Sequence, residues 1–189
     1  MKCVKCGKLG KIKVQNLTAC ESCFLKIIEK RARKEIRLKK LIRKNDNILI
    51  INDGSAEYFV SEYLLKKIIK DLPIKITTKK QKYELGDSVS GAYNKIIVPW
   101  NADKEDEYFL KSIFENQDLK YRGHYKIKSK LYIKLLLTVL QAEVEIFAKI
   151  KGLKIKARKK TNIGIMLDEL EKEYPEMKFS LLKSFQELQ

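Results

Sequence analysis

Four cysteines fall within the first 23 residues, as Cys3-x-x-Cys6 and Cys20-x-x-Cys23. A two-residue spacing lets a tight turn aim two thiolates at one ion, and two such knuckles facing each other complete a tetrahedron. Between them, Gly7, Gly10 and the run Lys11 to Val14 can form a short β-hairpin that carries one knuckle to the other. Lys2, Lys5 and Lys8 offset the charge of four thiolates and favour the deprotonated sulfurs. A disulfide framework spreads its cysteines along the chain, whereas these are local and paired. A redox dithiol needs only one pair, and the double knuckle suits a mononuclear ion better than an iron–sulfur cluster. The expected cofactor is a structural Zn2+ held by Cys3, Cys6, Cys20 and Cys23. Such a centre is closed, with no position left open for catalysis.

The charge points to a polyanionic partner. The 189 residues carry 41 Lys and Arg against 24 Asp and Glu, a net charge of +17, and the excess is clustered. From Ser22 to Lys44 the sequence reads as one helix, with Phe24, Leu25, Ile28, Ala32, Ile36, Leu38 and Leu41 as its apolar stripe and Asn45 as its stop. Its other faces are basic, and a second basic block runs from Lys151 to Lys160. The candidate contacts to RNA phosphates are Lys30, Arg31, Arg33, Lys34, Arg37, Lys40, Arg122, Lys126, Arg158, Lys159 and Lys160. Tyr121 and Tyr125 can stack on unpaired bases, although half-buried packing is the commoner use of such tyrosines. His124, the one histidine, is expected at the surface or facing RNA.

The remaining pattern is strand–helix alternation. Asn47 to Asn52 reads as a buried parallel strand, followed by the loop Asp53-Gly54-Ser55 and a helix that ends near Asp71. Strands are expected at Ile74–Thr78 and Lys95–Trp100, with a loop from Lys79 to Tyr93 between them and a helix from Asp103 to Phe114 after them. Asp103 and Asp106 are carboxylates that could hold Mg2+, but their position reads as acids favouring a helix N-terminus. Leu131 to Ile150 is interrupted by Lys134, Gln141, Glu143, Glu145 and Lys149, so it reads as a buried helix and not a membrane span. Two helices, from Ile163 to Tyr174 and beyond Pro175, close the chain. The alternation implies an α/β domain with a small parallel sheet. No apolar leader follows Met1, so a soluble cytoplasmic protein without membrane association is expected. Three parts are expected: a zinc ribbon over 1–24, a basic connecting helix over 25–45, and an α/β domain over 46–189.

The cysteine knuckles, the Cys-Glu-Ser-Cys-Phe opening of a basic helix, and the strand with its Gly-containing turn resemble the tRNA-thiolating PP-loop ATPases. Trp100-Asn101-Ala102-Asp103-Lys104-Glu105-Asp106-Glu107-Tyr108-Phe109-Leu110 is similar to that family's Gly-His-Asn-Ala-Asp-Asp segment. Asp168 to Pro175, with Leu181 to Phe185, resembles its closing helix pair. The resemblance implies a sheet of the PP-loop, adenine-nucleotide α-hydrolase type, a tRNA substrate and a heteromeric partner.

The chain departs from the family at two points. Where active members carry Ser-Gly-Gly-x-Asp-Ser, this chain has Asn52, Asp53, Gly54, Ser55, Ala56 and Glu57, and the two acids would place negative charge at the phosphate position. It also has no cysteine beyond Cys23. These departures imply the degenerate, non-catalytic second subunit of the archaeal or cytosolic complex that 2-thiolates wobble uridine, acting as a tRNA-binding scaffold for a catalytic PP-loop thiolase subunit. The alternatives are an active ATP-dependent tRNA-modifying enzyme with an unusual nucleotide loop, and a zinc-ribbon DNA-binding protein. Ser55 lacks the histidine and glycine pair of a nucleophile elbow.

Overall fold

A computed structural model describes residues 1–14, 17–153, 155 and 160–187. The N-terminal hairpin pairs β1 (Ile12–Val14) with β2 (Leu17–Ala19), antiparallel, with Ile12 opposite Ala19. Helix α1 (Glu21–Leu38) follows, and then β3 (Asn47–Asn52), α2 (Ala56–Ile68), β4 (Lys75–Lys80), β5 (Lys95–Ile97) and α3 (Ala102–Phe114). A second hairpin of β6 (Tyr125–Ile127) and β7 (Lys130–Ile133) precedes α4 (Gln141–Ile150), α5 (Asn162–Glu173) and α6 (Met177–Glu187).

The sheet has the order β4-β3-β5-β7-β6. β4, β3, β5 and β7 run parallel, and β6 closes the edge antiparallel to β7. The α/β class with a mainly parallel sheet is as the sequence suggests. Side chains that alternate along a strand divide the core into two faces. On one face Ile48, Ile50, Ile97 and Ile133 meet Phe24, Ile28 and Ala32 of α1, Val60, Leu64 and Leu65 of α2, and Val144, Phe147 and Ala148 of α4. That cluster is continuous with Cys3 and Ala19 of the cysteine module.

The other face, formed by Leu49, Ile51, Ile96, Val98 and Tyr132, is covered by Val89 and Tyr125, with Tyr83, Leu85, Tyr93, Trp100 and Tyr121 packed against them. Segment 81–94 supplies much of this cover without forming a helix or strand. Gly86 has φ 99°, and a Cβ there would lie 2.7 Å from the Tyr121 ring. Glycine therefore serves both the turn and the close approach.

Several expected boundaries move. Helix α1 stops at Leu38, six residues short of Lys44. Lys40 takes φ 50° just beyond it, and Leu41, expected on the stripe, turns back to donate to the Ile36 carbonyl at 3.0 Å. The segment Leu131–Ile150 is not one helix. Its first residues belong to β7, beside β5, and only Gln141–Ile150 is helical. A short apolar run is ambiguous between strand and helix by periodicity alone, and here pairing with an open strand edge decides it. The β6–β7 hairpin begins in the basic stretch after Asn116, where the sequence pattern signals no strand. No helix among the described residues is long and apolar enough to cross a membrane.

Beneath α3 lies a concentration of buried charge. Asp103 is ion-paired with Lys178 of α6 at 2.6 Å and accepts the Gln141 amide at 2.6 Å. These contacts leave Asp103 committed to joining helices rather than to holding Mg2+. Asp106 is fully buried, and neither of its carboxylate oxygens has a hydrogen-bond partner among the described residues. Burial, and then the charge of Asp103, push its pKa up to about 8. An unfolded aspartate titrates near about 4, so folding binds a proton here and stability falls as pH rises from about 4 to about 8. Replacing Asp106 with Asn should therefore raise the melting temperature at pH 8.5 and change it far less at pH 5, as read by thermal unfolding at both pH values.

Candidate metal centre and nucleic-acid interface

The hairpin and the start of α1 bring all four cysteines together, with every Sγ within 4.8 Å of the others and Cys6 3.6 Å from Cys20. The first knuckle is closed by the Gly7 amide on the Cys3 carbonyl at 2.9 Å and the Cys3 amide on the Lys8 carbonyl at 2.7 Å. The second is set by the helix: Cys20 is the residue before α1 and Cys23 lies in its first turn, at the positive end of the helix dipole. Backbone amides, that of Cys20 foremost, draw the Cys3 thiol down to about 6. Contact with the Cys6 and Cys20 sulfurs pushes Cys23 up to about 12.

Four thiolates on one zinc lie about 3.8 Å apart, from a Zn–S bond of about 2.3 Å and tetrahedral angles. A four-iron cluster takes one thiolate per iron at the corners of a larger cage. The observed sulfurs lie close enough together to share one metal centre.

Most of the expected RNA contacts on α1 are displayed to solvent. Lys30, Arg33, Lys34 and Arg37 are exposed, although Arg33 also pairs with Glu29 at 2.8 Å. Arg31 is a correction. Its guanidinium turns inward, donating to both carboxylate oxygens of Glu143 at 2.9 and 2.8 Å and lying 5.4 Å over the Phe179 ring. The helical period places residue 31 between the exposed row and the buried stripe, and a buried carboxylate claims it. Lys40 is exposed beyond the helix end, and Lys126 is exposed on β6. Arg122 is half-buried, donates to the Phe185 carbonyl at 3.3 Å and lies 5.5 Å over the Phe185 ring. Lys160 pairs with Asp168 at 2.6 Å. Arg158 and Lys159 lie outside the described residues.

His124 is not on the surface. Its side chain is 9% exposed, its Nε2 lies 3.0 Å from Glu35, and its Nδ1 accepts the Lys134 amide at 3.2 Å. Tyr125 is buried and stacked on Tyr132 at 5.0 Å, so it packs the core.

Because β4 lies on one side of β3 and β5 on the other, the winding reverses between β3 and β5. Their carboxyl ends open the crevice where sheets of this kind take ligands. The loop Asn52–Glu57 lies there. Its amides are largely engaged: Gly54 donates to Asn52 Oδ1 at 3.0 Å, Ser55 to Asp53 Oδ1 at 2.9 Å, and Tyr58 to Ser55 Oγ at 3.2 Å. Glu57 is buried and paired with Lys104 of α3 at 2.7 Å, so the negative charge expected at this point is offset. Gly54 has φ 78°, with open space above it. Beside this end of the sheet lies a cavity of about 680 Å³, lined by Tyr83, Leu85, Trp100, Lys104, Tyr108 and Ile163 among others.

Next to it is a group the sequence did not single out. Lys134 is fully buried, 2.5 Å from Glu105 Oε2, and donates to the Tyr121 carbonyl at 2.7 Å. The rings of Trp100, Tyr125 and Tyr108 stand 4.8, 5.5 and 5.7 Å from its ammonium. Glu105 also accepts the Trp100 indole at 2.7 Å and the Gly123 amide at 2.6 Å. The only trace of this arrangement in the sequence is a lysine interrupting the apolar run from Leu131.

No protein-family model matches the chain. The tRNA-5-methyluridine(54) 2-sulfurtransferase of Thermotoga maritima is 36% identical over 70 residues, which are 36% of this chain and 23% of that protein. The match thus spans about a quarter of the relative's length. Among solved structures, the U34-tRNA thiolase NcsA from Methanococcus maripaludis, with its 4Fe-4S cluster, superposes with a TM-score of 0.79 at 19% identity. The superposition covers 100% of this chain and 87% of that one. At that identity the likeness establishes the fold. The expectation of a catalytically inactive chain is overturned: both matched proteins are named as enzymes, and nothing among the described residues marks the chain as inactive.

The Arg31–Glu143 pair gives a test of the inward assignment. Arg31→Ala should cost about 3–5 kcal/mol by stranding a buried carboxylate, whereas Lys34→Ala should leave stability within about 0.5 kcal/mol. Chemical denaturation of the two variants checks this.

Proposed function

We propose that this chain is a tRNA-binding protein of uridine 2-thiolation, with a structural zinc at its cysteine centre, acting in the cytoplasm beside a PP-loop thiolase subunit. The observation that carries the reading is the exposed row Lys30, Arg33, Lys34 and Arg37 on α1, the helix whose first turn completes the cysteine cluster. A rigid basic helix rooted in a metal knuckle offers a fixed spacing of cations to an RNA backbone. The partial match to a tRNA sulfurtransferase and the fold shared with a tRNA thiolase support RNA over DNA. Arg122, Lys126 and Lys160, with Arg158 and Lys159, extend the proposed contacts.

A second reading is favoured by one observation: Glu57 is offset by Lys104, and Gly54 leaves open space at the crevice between β3 and β5. On this reading the loop Asn52–Glu57 takes a nucleotide phosphate at the N-terminus of α2.

Three measurements test these statements. Fluorescence anisotropy with tRNA should show binding that weakens steeply with salt, because lysines and arginines release counterions from phosphates. Binding that ignores salt, or no binding, defeats the RNA reading. Elemental analysis should find about one zinc per chain, lost in Cys6→Ser, whereas stoichiometric iron with visible charge-transfer absorption would replace zinc in the assignment. A rise in melting temperature with Mg-ATP would establish the nucleotide reading, and no rise at millimolar ATP would remove it.

A further inference from the structure

We propose that the cleft between the C-terminal end of α1 and the β5-β7-β6 edge of the sheet is a binding site for the phosphodiester backbone of RNA. The cleft has a volume of about 460 Å³. Six cations line it: Lys39, Lys40, Arg43, Lys95, Arg122 and Lys126. The inference rests on RNA being the partner.

These cations converge from separate parts of the chain. Lys39 and Lys40 follow α1, Arg43 stands in the turn before β3, Lys95 opens β5, Arg122 precedes the second hairpin and Lys126 lies on β6. A helix C-terminus attracts cations on its own account, which would explain Lys39 and Lys40 but not Arg43, Lys95 or Lys126.

Several cations elsewhere are paired. Arg31, Lys66, Lys67, Lys104, Lys134 and Lys178 all face carboxylates. Among the described residues, Lys39, Lys40, Arg43, Lys95 and Lys126 form no ion pair. The single carboxylate in the lining, Glu35, is engaged by His124 at 3.0 Å. Since Nδ1 of His124 accepts the Lys134 amide, Nε2 carries the ring proton and donates it to Glu35. The acid is thus hydrogen-bonded at the floor of the cleft, and the charge of Lys39 acts on it as well.

Lys40 supplies the independent observation. Helix α1 ends with the Lys40 amide on the Arg37 carbonyl at 3.3 Å and the Leu41 amide on the Ile36 carbonyl at 3.0 Å. This is a Schellman closure whose left-handed residue is normally glycine. Here Lys40 occupies it at φ 50°. A side chain at this point opposes the backbone preference, yet the residue that carries it lines the cleft.

Lys39, Lys40, Arg43 and Lys126 are exposed, so the cleft is open enough for a chain of phosphates to lie along it. The exposed row from Lys30 to Arg37, about 10 Å long at 1.5 Å per residue, leads into it. A bilayer surface would reach only the rim of a recess, whereas a backbone can enter it.

The test uses the full chain, a tRNA transcript and fluorescence anisotropy at several salt concentrations. The triple variant Lys40→Gly, Arg43→Ala and Lys126→Ala should bind at least about tenfold more weakly, with a salt slope smaller by about two to three. Lys70→Ala with Lys172→Ala, both exposed elsewhere, should bind as the native protein does. Lys40→Gly alone should melt no lower than the native protein, because glycine suits the turn, so its loss of binding cannot be ascribed to unfolding. If the triple variant binds tRNA with native affinity and slope, the cleft is overturned while the tRNA reading stands. If the native protein does not bind tRNA, both fail. Binding to phosphatidylserine vesicles through these same residues, with no tRNA binding, would replace RNA by a membrane surface.

Discussion

The register of α1 against the sheet governs both ends of the molecule. Phe24, Ile28 and Ala32 are fully buried on the face of β3, β5 and β7, and that stripe leaves the helix no freedom to rotate. Burying these side chains removes apolar surface from water, a gain of about 25 cal/mol per Å². A rotation that exposed them would forfeit that gain. With the register held, the helix presents Cys23 toward the knuckle at its start, Lys30, Arg33, Lys34 and Arg37 to solvent along its length, and Lys39 and Lys40 to a cleft at its end. The metal centre and the basic surface are therefore parts of one rigid element.

Buried charge fixes the helices that do not touch the first face of the sheet, and it also ties α1 to its neighbour. Lys178 joins α6 to α3 through Asp103, and Arg31 joins α1 to α4 through Glu143. Lys134 ties the end of β7 to α3 through Glu105. Each pair is costly to desolvate, and their value lies as much in orientation as in net stability. Asp106 stands among them without a hydrogen-bond partner among the described residues and is pushed toward its protonated form. The packing of α3 is thus sensitive to proton concentration, whereas the apolar face beneath α1 is not.

The second sheet face is unusual for an α/β protein because segment 81–94 and the aromatic residues Tyr83, Tyr93, Trp100, Tyr121 and Tyr125 take the place of covering helices. Large rings fill area quickly and tolerate an irregular backbone above them. Several of the same rings surround Lys134 and border the cavity at the carboxyl ends of the strands. Structural cover and candidate ligand surface are here made of shared side chains.

The local patterns were legible in the sequence. Cys3, Cys6, Cys20 and Cys23 declare a metal site because spacing within a knuckle is a short-range property. Asn47 to Asn52 declares a buried strand because its apolar run is uninterrupted, and the basic faces of α1 follow from helical period. The tertiary structure alone decided which cations are free. Arg31 and Lys34 are alike in sequence, yet one is claimed by a carboxylate 112 positions away and the other faces water. It also turned Leu131 to Ile133 into a strand by offering the open edge of β5, and placed His124, expected outside, over Glu35 within the fold. Periodicity reports which face of an element is buried, but the partner that a charge or a strand edge meets depends on chain segments far away in sequence.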